Sequence, residues 1–441
     1  MITPAEYRQR RQQLMAQMGS DSIAILATAA AQPRNRDVEY PYRGDSDFLY
    51  LTGFSEPEAL LVLIPDQPTG RFLLFCRERD PERELWEGRR AGIEGAVRHF
   101  GADEAYPIDQ IDELIPPLLA DRQRVYYPIG VNEGFDAMMM GWLNQLRQQS
   151  RSGTTLPHSY IPIERLLHEM RLHKSAAELA VMRHAATLSA AAHCRAMQRC
   201  RPGLYEYQLE AEIQHHCADQ GARHAAYPAI VGGGANGCIL HYTDNSDLLQ
   251  AGDLVLIDAG AEYHHYAADI TRTFPVNGRF SPAQRQLYEL VLAAQEAAIG
   301  AVRPGASWND PHAAAVAVLA AGMVELGLLR GLVDRVIEQQ RYRRYFMHRT
   351  GHWLGMDVHD VGEYKVDGAW RPLAPGMVLT IEPGIYIPAD DRRVAKRWRG
   401  IGIRIEDDVV VTEQGCEVLT EAVPKRVAAI EALMAEGRRG E

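Results

Sequence analysis

Two copies of one short pattern occur in the second half of the chain. Residues 249–260 read LQAGDLVLIDAG, and residues 373–384 read LAPGMVLTIEPG. Each copy is an apolar run that ends in an acid, Asp258 or Glu382, and is closed by glycine. Further along, DITRTFPVNG begins at Asp269 and EDDVVVTEQG begins at Glu406. We therefore predict a duplicated unit, in which a strand with an acid near its end is followed by a connection and a returning strand with a second acid.

The duplication predicts two half-sites that face each other across a pseudo-twofold axis. An acid beside a glycine is commonly a solvated turn residue. Asp258, Glu382 and Glu406, however, follow or lie within Val, Ile and Leu runs that are typical of strands buried on both faces. Buried carboxylates are costly unless they are paired or bound to a cation, and four converging carboxylates repel by several kcal/mol at an effective dielectric constant of about 20. We therefore predict that divalent metal compensates their charge.

Histidines supply further candidate site residues. The segment MHRTGHWLGMDVHD contains His348, His352 and His359, and ILHY contains His241. A single histidine in an apolar setting is usually a satisfied core residue, but three in a glycine-punctuated segment, together with four suspect acids, favour a site. Carboxylates and imidazole without thiolate favour Mn²⁺, with Co²⁺, Fe²⁺ or Zn²⁺ as alternatives. Two such ions about 3.5–4 Å apart activate a shared water and polarise a carbonyl, which predicts hydrolytic chemistry.

The apolar periodicity divides the chain into two predicted domains, 1–172 and 173–441. Short strand-like runs at 23–27, 58–64, 71–76 and 124–128, with a helix around 132–149, predict an α/β domain in the first part. Ser175 and Glu178 form a capping-box pattern at the start of a long helix. Val181, Ala185, Leu188 and Ala192 lie on one face of that helix, and Pro202 ends it.

The net charge limits the classes of binding partner, and the cysteine pattern indicates the cellular compartment. Asp and Glu number 58 against 47 for Lys and Arg, a net charge of -11, which argues against nucleic acid as a partner. No apolar run approaches the length of a membrane span. The six cysteines include no C-x-x-C pair, so we expect small buried thiols and a cytoplasmic protein.

These motifs resemble the pita-bread metallopeptidases and, within them, the bacterial aminopeptidase P (Xaa-Pro aminopeptidase) family. The resemblance also covers YPYR at 40–43 and SDFLYLTGF at 46–54. It implies a ribonuclease-H-like α/β N-terminal domain and an α+β pita-bread catalytic domain with an internal pseudo-twofold repeat. It further implies a homo-oligomer, a dimer or a tetramer. One departure is Arg349, where glycine is more usual in the family.

The resemblance implies a role for each candidate residue. Asp258 would bind one metal, and Asp269 and Glu406 would bridge both. His352 and Glu382 would complete the other, with Glu382 also a proton shuttle. The substrate-side residues would be His241, His348, His359, Tyr386 and Arg404. Because Arg404 and Glu406 are two residues apart and would share one face of a strand, we expect Arg404 to orient that carboxylate and lower its pKa.

The implied reaction releases the N-terminal residue from peptides with proline in second place. Proline lacks an N–H and its ring fixes the backbone, so most peptidases cannot use such a bond. The resemblance places Asp37, Trp86 and Arg151 as cleft residues from the N-terminal domain, although Trp86 also fits a partly exposed helix aromatic.

Three alternatives share this fold. A prolidase would cleave only dipeptides. A creatinase-like hydrolase works without metal, and a binding protein would lack catalysis. The complete set of ligand candidates disfavours the last two.

Overall fold

The computed structural model describes residues 1–66 and 70–439. The chain divides into two compact units, Ile2–Met170 and Arg171–Glu441. Among the described residues, no helix is both long and apolar enough to cross a membrane. All six cysteines are free thiols.

The first unit is a mixed sheet with helices. Its strands are β1 (Ser22–Ala27), β2 (Pro33–Asn35), β3 (Val38–Glu39), β4 (Leu60–Ile64), β5 (Arg71–Cys76), β6 (Glu104–Pro107), β7 (Arg124–Tyr127) and β8 (Ser159–Pro162). Its helices are α1 (Pro4–Met18), α2 (Ser46–Thr52), α3 (Pro81–Glu87), α4 (Gly92–Phe100), α5 (Ile111–Leu119) and α6 (Glu133–Gln148), and α7 (Glu164–Leu172) runs across the boundary. The predicted strands and the predicted helix around 132–149 are confirmed to within two residues at each end.

The sheet of this unit has the strand order β6-β5-β4-β1-β7-β8. Strands β1, β4 and β5 pair antiparallel, whereas β6, β7 and β8 each join a neighbour in parallel. Alternate strand residues, such as Ile23 and Ile25, point into one core with Trp142 of α6, as the two-residue period of a strand requires. This is the α/β architecture predicted for the N-terminal domain.

The second unit combines long helices with short antiparallel sheets. Its helices are α8 (Ala176–Arg199), α9 (Glu206–Asp219), α10 (Pro282–Ala301), α11 (Asp310–Glu325), α12 (Val333–Glu338) and α13 (Val427–Gly437). Its strands are β9 (His224–Ala225), β10 (Ile230–Gly233), β11 (Leu254–Asp258), β12 (Ala261–Tyr263), β13 (Tyr266–Ala267), β14 (Thr271–Pro275), β15 (Lys365–Val366), β16 (Ala369–Trp370), β17 (Val378–Ile381), β18 (Gly384–Ile387), β19 (Ile401–Arg404), β20 (Asp407–Val411) and β21 (Cys416–Val418).

Helix α8 begins and ends as the sequence predicts. The Ser175 hydroxyl accepts a hydrogen bond from the Glu178 backbone N–H, and the Glu178 carboxylate accepts one from the Ser175 N–H. The helix stops at Arg199, before Pro202. Its predicted apolar face, represented by Val181 and Ala185, is buried.

The sequence repeat corresponds to two antiparallel strand pairs. Strand β11 pairs with β14, and β17 pairs with β20. All four strands are buried along their whole length. The duplicated strand, connection and returning strand are therefore confirmed, and each copy presents its acids at the same end of its strand pair.

Candidate metal centre

The four acids of the repeat lie at corresponding places in the two strand pairs. Asp258 is the last residue of β11, and Asp269 comes two residues before β14. Glu382 directly follows β17, and Glu406 directly precedes β20. The register places Asp258 opposite Thr271 and Ile381 opposite Asp407. We call Asp258, Asp269, Glu382 and Glu406 the carboxylate cluster.

Three of the predicted ligands converge closely. One ligand atom from each of Asp269, His352 and Glu406 lies within 4.8 Å of the other two. The His352 Nε2 atom is 3.4 Å from Asp269 Oδ2. Because His352 Nδ1 lies 2.9 Å from the Trp353 carbonyl oxygen and donates to it, Nε2 is left as the ligand-capable atom.

Tyr227 ties Asp258 to this group. Its hydroxyl oxygen is 2.7 Å from Asp258 Oδ1 and 2.6 Å from Asp269 Oδ1. The hydroxyl has one proton and so donates to one carboxylate at a time. Tyr227 thus fixes the spacing of two acids that would otherwise repel each other.

A cavity of about 950 Å³ opens over the cluster. All five predicted ligands line it, and so do the predicted substrate-side residues His241, His348, His359 and Arg404. Its apolar lining includes Ile230, Leu240, Trp308, Val358 and Tyr364. The structure therefore brings nine of the predicted residues of this unit to one cavity.

Tyr386 is the exception among the substrate-side predictions. We predicted that it binds substrate, but its side chain is 1% exposed and is not part of the cavity lining. Its hydroxyl accepts from Arg404 Nη1 at 3.1 Å and donates to His348 Nε2 at 2.8 Å. Tyr386 lies behind the site, because its place in β18 points its ring into the core, and it orients two residues that do line the cavity.

Arg404 differs from its prediction in its contacts, although its charge does act to lower the pKa of Glu406, as predicted. Its Nη2 atom donates to Asp258 Oδ2 at 2.6 Å, and its Nε atom donates to the Thr271 hydroxyl at 3.0 Å. Only that hydroxyl, 2.6 Å from Glu406 Oε2, links the guanidinium to Glu406. The reason is that β19 ends at Arg404, so Glu406 lies beyond the strand and leads into β20 of another sheet.

Comparison with known proteins decides the family. The model of metallopeptidase family M24 matches residues 180–413, and the model of the aminopeptidase P N-terminal domain matches residues 7–126. The chain belongs to metallopeptidase family M24. It is a hydrolase of the aminopeptidase class, as the predicted resemblance implied.

Two bacterial relatives match this M24 chain over nearly its whole length. An Escherichia coli K12 protein named Xaa-Pro aminopeptidase is 48% identical over 439 residues, which is 99% of each chain. The solved structure of the Pseudomonas aeruginosa aminopeptidase PepP is 57% identical, with a TM-score of 0.98 and full coverage of both chains. A second solved structure, zinc-substituted E. coli aminopeptidase P in complex with product, has 48% identity and a TM-score of 0.97, with 99% of each chain covered.

The electrostatics of the M24 site show that the carboxylate cluster is short of positive charge. Burial and the charges of Asp269, Glu382 and Asp258 raise the pKa of Glu406 well above its ordinary value. Burial raises the pKa of Glu382 to about 7 against the opposing charges of His352 and Arg404. Glu382 and Glu406 therefore favour the protonated form unless a positive charge binds beside them.

The pKa of His352 also reflects the negative charge of the neighbouring carboxylates. Burial alone would lower its pKa, but the hydrogen bond and charge of Asp269, with the charge of Glu382, raise it to about 9. A metal-bound imidazole must be neutral, so a cation would displace this proton. Buried oxygen donors, one imidazole and no thiolate fit a divalent cation.

His348 and His359 are held in the neutral form. Burial lowers the pKa of His348 to about 3, and the nearby Arg404 adds to the shift. Burial and His352 lower the pKa of His359. The rings of His352 and His359 meet edge to face with centroids 4.4 Å apart.

The candidates from the N-terminal domain lie on the surface of the first unit. Asp37 stands in the turn between β2 and β3, and Arg151 in a 3₁₀ turn after α6. Trp86 lies near the end of α3 and is 86% exposed. Each is exposed within its unit.

Tyr227 and Thr271 were missed by the sequence analysis. Tyr227 precedes Pro228 just before β10, and nothing in that segment repeats elsewhere. Thr271 does carry a signal, because it lies two residues after Asp269 on a predicted strand and so shares its face.

Proposed function

We propose that this M24 aminopeptidase uses two divalent metal ions to release the N-terminal residue from peptides with proline in second place. The observation that carries the proposal is that all five ligand candidates, three buried and two partly buried, line one cavity large enough for a peptide. The name of the E. coli relative, Xaa-Pro aminopeptidase, supports the same substrate class at 48% identity over 99% of the chain.

The five ligand candidates would be shared unequally between the two ions. Asp269 and Glu406 would bridge them, Asp258 would bind one, and His352 and Glu382 would complete the other. Mn²⁺ is the proposed metal, since the ligands are mainly hard oxygen donors. When bound, such a pair lowers the pKa of a shared water and polarises the scissile carbonyl.

Protein groups then handle the proton and the developing charge. Glu382, whose pKa is about 7 in the metal-free protein, is the proposed group that takes a proton from the attacking water and passes it to the proline nitrogen. His359 and His241 line the same cavity and are proposed to donate hydrogen bonds to the carbonyl oxygen as it gains charge. His348 is held by Tyr386 on one side and by the Arg349 carbonyl on the other, so its ring is fixed beside Glu382, with Nδ1 3.6 Å from Glu382 Oε2.

The apolar part of the cavity suits a proline ring. Val358, Trp308 and Tyr364 offer a rigid surface, and proline arrives with its φ already restricted. An alanine in that place would leave an N–H unpaired, at about 1–3 kcal/mol, and would lose about 0.8 kcal/mol for each buried CH₂. We expect a preference for proline of about a hundredfold or more.

The test is hydrolysis of matched peptides. The dialysed enzyme with added Mn²⁺ should release the first residue from Xaa-Pro-Yaa and leave Xaa-Ala-Yaa nearly untouched. Equal rates for the two would contradict the proline slot. Cleavage of Xaa-Pro but not of Xaa-Pro-Yaa would establish a prolidase instead.

We also propose a division at residues 172 and 173, a cytoplasmic location, and a homo-oligomer, dimer or tetramer, in which Asp37, Trp86 and Arg151 contribute to substrate binding. The acidic composition supports peptides over nucleic acid as partners. Light scattering of the purified chain tests the oligomer, with a monomer as the contradicting result.

A further inference from the structure

A two-stranded hairpin borders the cavity away from the carboxylate cluster. Lys365 of β15 pairs directly with Trp370 of β16, and both line the cavity. The Asp367-Gly368 turn between them has φ values of 50° and 80°, as a type I′ hairpin turn requires. Because directly opposed residues of an antiparallel pair project from the same face, the hairpin holds Lys365 and Trp370 side by side.

Two cations lie against the indole of Trp370. The Lys365 Nζ atom is 4.5 Å from the ring centroid, and the Arg349 Cζ atom is 4.9 Å from it. One Arg349 nitrogen donates to the Asn309 side-chain oxygen at 2.8 Å. Within residues 1–66 and 70–439, neither cation forms an ion pair with a carboxylate. We call Arg349, Lys365 and Trp370 the cation–indole patch.

The cavity therefore has negative charge at the carboxylate cluster and positive charge at the patch. The acids Asp258, Asp269 and Glu406 are at most 8% exposed, whereas all three residues of the patch are exposed. Trp308 and Tyr364, with ring centroids 4.7 Å apart, add an aromatic wall to the lining of the same cavity. A volume of about 950 Å³ is at the upper end of the range for small-molecule sites, so a short peptide can reach from the acids to the patch.

A peptide has opposite charges at its two ends. The patch repels the α-ammonium group and attracts a carboxylate, so it favours one direction of the chain in the cavity. Cleavage after the first residue requires that the remainder of the peptide extends from the acids toward open space. The carboxyl-terminal part is the part that meets the patch.

We propose that the cation–indole patch is a subsite for a carboxylate on the part of the peptide beyond the proline. This inference rests on the proposed function, because it takes Xaa-Pro peptides as the substrates. The carboxylate is the free C-terminus of a short peptide or an acidic side chain, and both present the same chemistry to Arg349 and Lys365. The patch would make the enzyme selective for short or acidic peptides.

Two pairs of peptides distinguish these sources. The first pair is Ala-Pro-Ala as the free acid and as the amide. The second is Ala-Pro-Glu-amide and Ala-Pro-Gln-amide. For the wild-type enzyme with Mn²⁺, we expect kcat/KM to favour the charged member of at least one pair, mainly through KM, by up to about fivefold for each cation. Salt at about 0.5 M should reduce the preference by screening.

The decisive comparison uses matched variants. In Arg349→Gln/Lys365→Gln the ratio between charged and neutral peptides should fall to about one. The control Arg343→Gln/Lys396→Gln removes two exposed cations that do not line the cavity and should keep the wild-type ratio.

Two results would overturn the proposed subsite while Xaa-Pro hydrolysis stands. One is a wild-type ratio of kcat/KM between charged and neutral peptides of one for both pairs. The other is the same ratio in both double variants. If the wild-type enzyme hydrolyses none of these peptides, the proposed function fails and the patch fails with it.

Discussion

Glu406 and Asp407 are neighbours in the chain, yet their carboxylates lie in opposite surroundings. Glu406 faces the other acids of the carboxylate cluster, which raise its pKa together with burial. Asp407 faces Arg272 at 2.7 Å and Lys425 at 2.6 Å. Burial alone would raise the pKa of Asp407, but these two cations lower it.

The surroundings of Asp407 form a closed structural network. Its two oxygens also accept hydrogen bonds from Gln295 at 2.7 Å and Thr420 at 2.8 Å. We call Asp407, Arg272, Lys425, Gln295 and Thr420 the ion-pair cluster. Arg272 and Asp407 are both fully buried.

Strand geometry explains the contrast. Successive side chains of an extended chain point to opposite faces. Thr271 therefore turns to Glu406 and Arg404, while the next residue, Arg272, turns to Asp407. Asp407 has two cations of its own and is structural. The charged groups that act most strongly on Glu406 are further carboxylates, which indicates a site that a cation from solution completes.

The largest expected effect comes from the bridging acids. Asp269→Ala or Glu406→Ala should lower kcat/KM for Xaa-Pro-Yaa by about a thousandfold or more, because each removes a group proposed to contact both ions. Peptide assays at saturating Mn²⁺ measure this loss. Near-full activity in either variant would show that the site is misassigned.

Asp407→Asn should affect folding instead. It leaves the buried Arg272 and the partly buried Lys425 without their anion, and breaking a buried ion pair typically costs about 3–5 kcal/mol. Chemical denaturation of the metal-loaded protein measures this change. Glu417→Gln is the control, since it breaks an exposed pair with Arg183 and should cost less than about 1 kcal/mol. If Asp407→Asn leaves the free energy of unfolding unchanged, Asp407 does not have the structural role assigned to it.

His352 and His359, whose rings meet edge to face, provide a further contrast. His359→Ala should lower kcat by about 10²–10³, the usual scale for a lost donor to a developing oxyanion, while metal content stays normal. His352→Ala should lose metal. Equal metal loss in the two variants would make His359 a ligand.

The smallest expected step, about tenfold for one pH unit and one proton, is in the pH dependence of metal affinity. Glu382, with a pKa of about 7, and His352, with a pKa of about 9, carry protons in the metal-free protein that metal binding must release. Affinity for Mn²⁺ should therefore fall as pH decreases from about 9 to 6, by about tenfold per unit for each proton released. Titration calorimetry in two buffers of different ionisation enthalpy counts the protons. A dissociation constant independent of pH would contradict the release of protons from Glu382 and His352.

Much of this site was predictable because it is repeated. Asp258 and Glu382 could be paired by their common strand pattern, and the structure confirms the two strand pairs that hold them. Successive side chains along β14 and β20 point to opposite faces. This alternation could also have shown that Thr271 and Arg272 lie on different sides of the strand. The partner of Arg404 could not be found this way, because the prediction assumed that one strand continues from Arg404 to Glu406.

Other contacts depend on the tertiary fold alone. Tyr227 reaches Asp258 and Asp269 across more than thirty residues of chain, and no local pattern marks it. The Asp-Gly dipeptide at 367–368 was a readable hairpin signal. The sequence showed no link between that hairpin and Arg349, which only the folded chain places against Trp370.

The metal content of three proteins shows whether Glu406, and not Asp407, holds metal. Wild type, Glu406→Gln and Asp407→Asn would be loaded with Mn²⁺, dialysed and analysed by plasma emission. We expect two Mn²⁺ per chain in wild type and in folded Asp407→Asn, and one or none in Glu406→Gln. Two ions retained by Glu406→Gln, or no bound metal in wild type, would contradict this expectation.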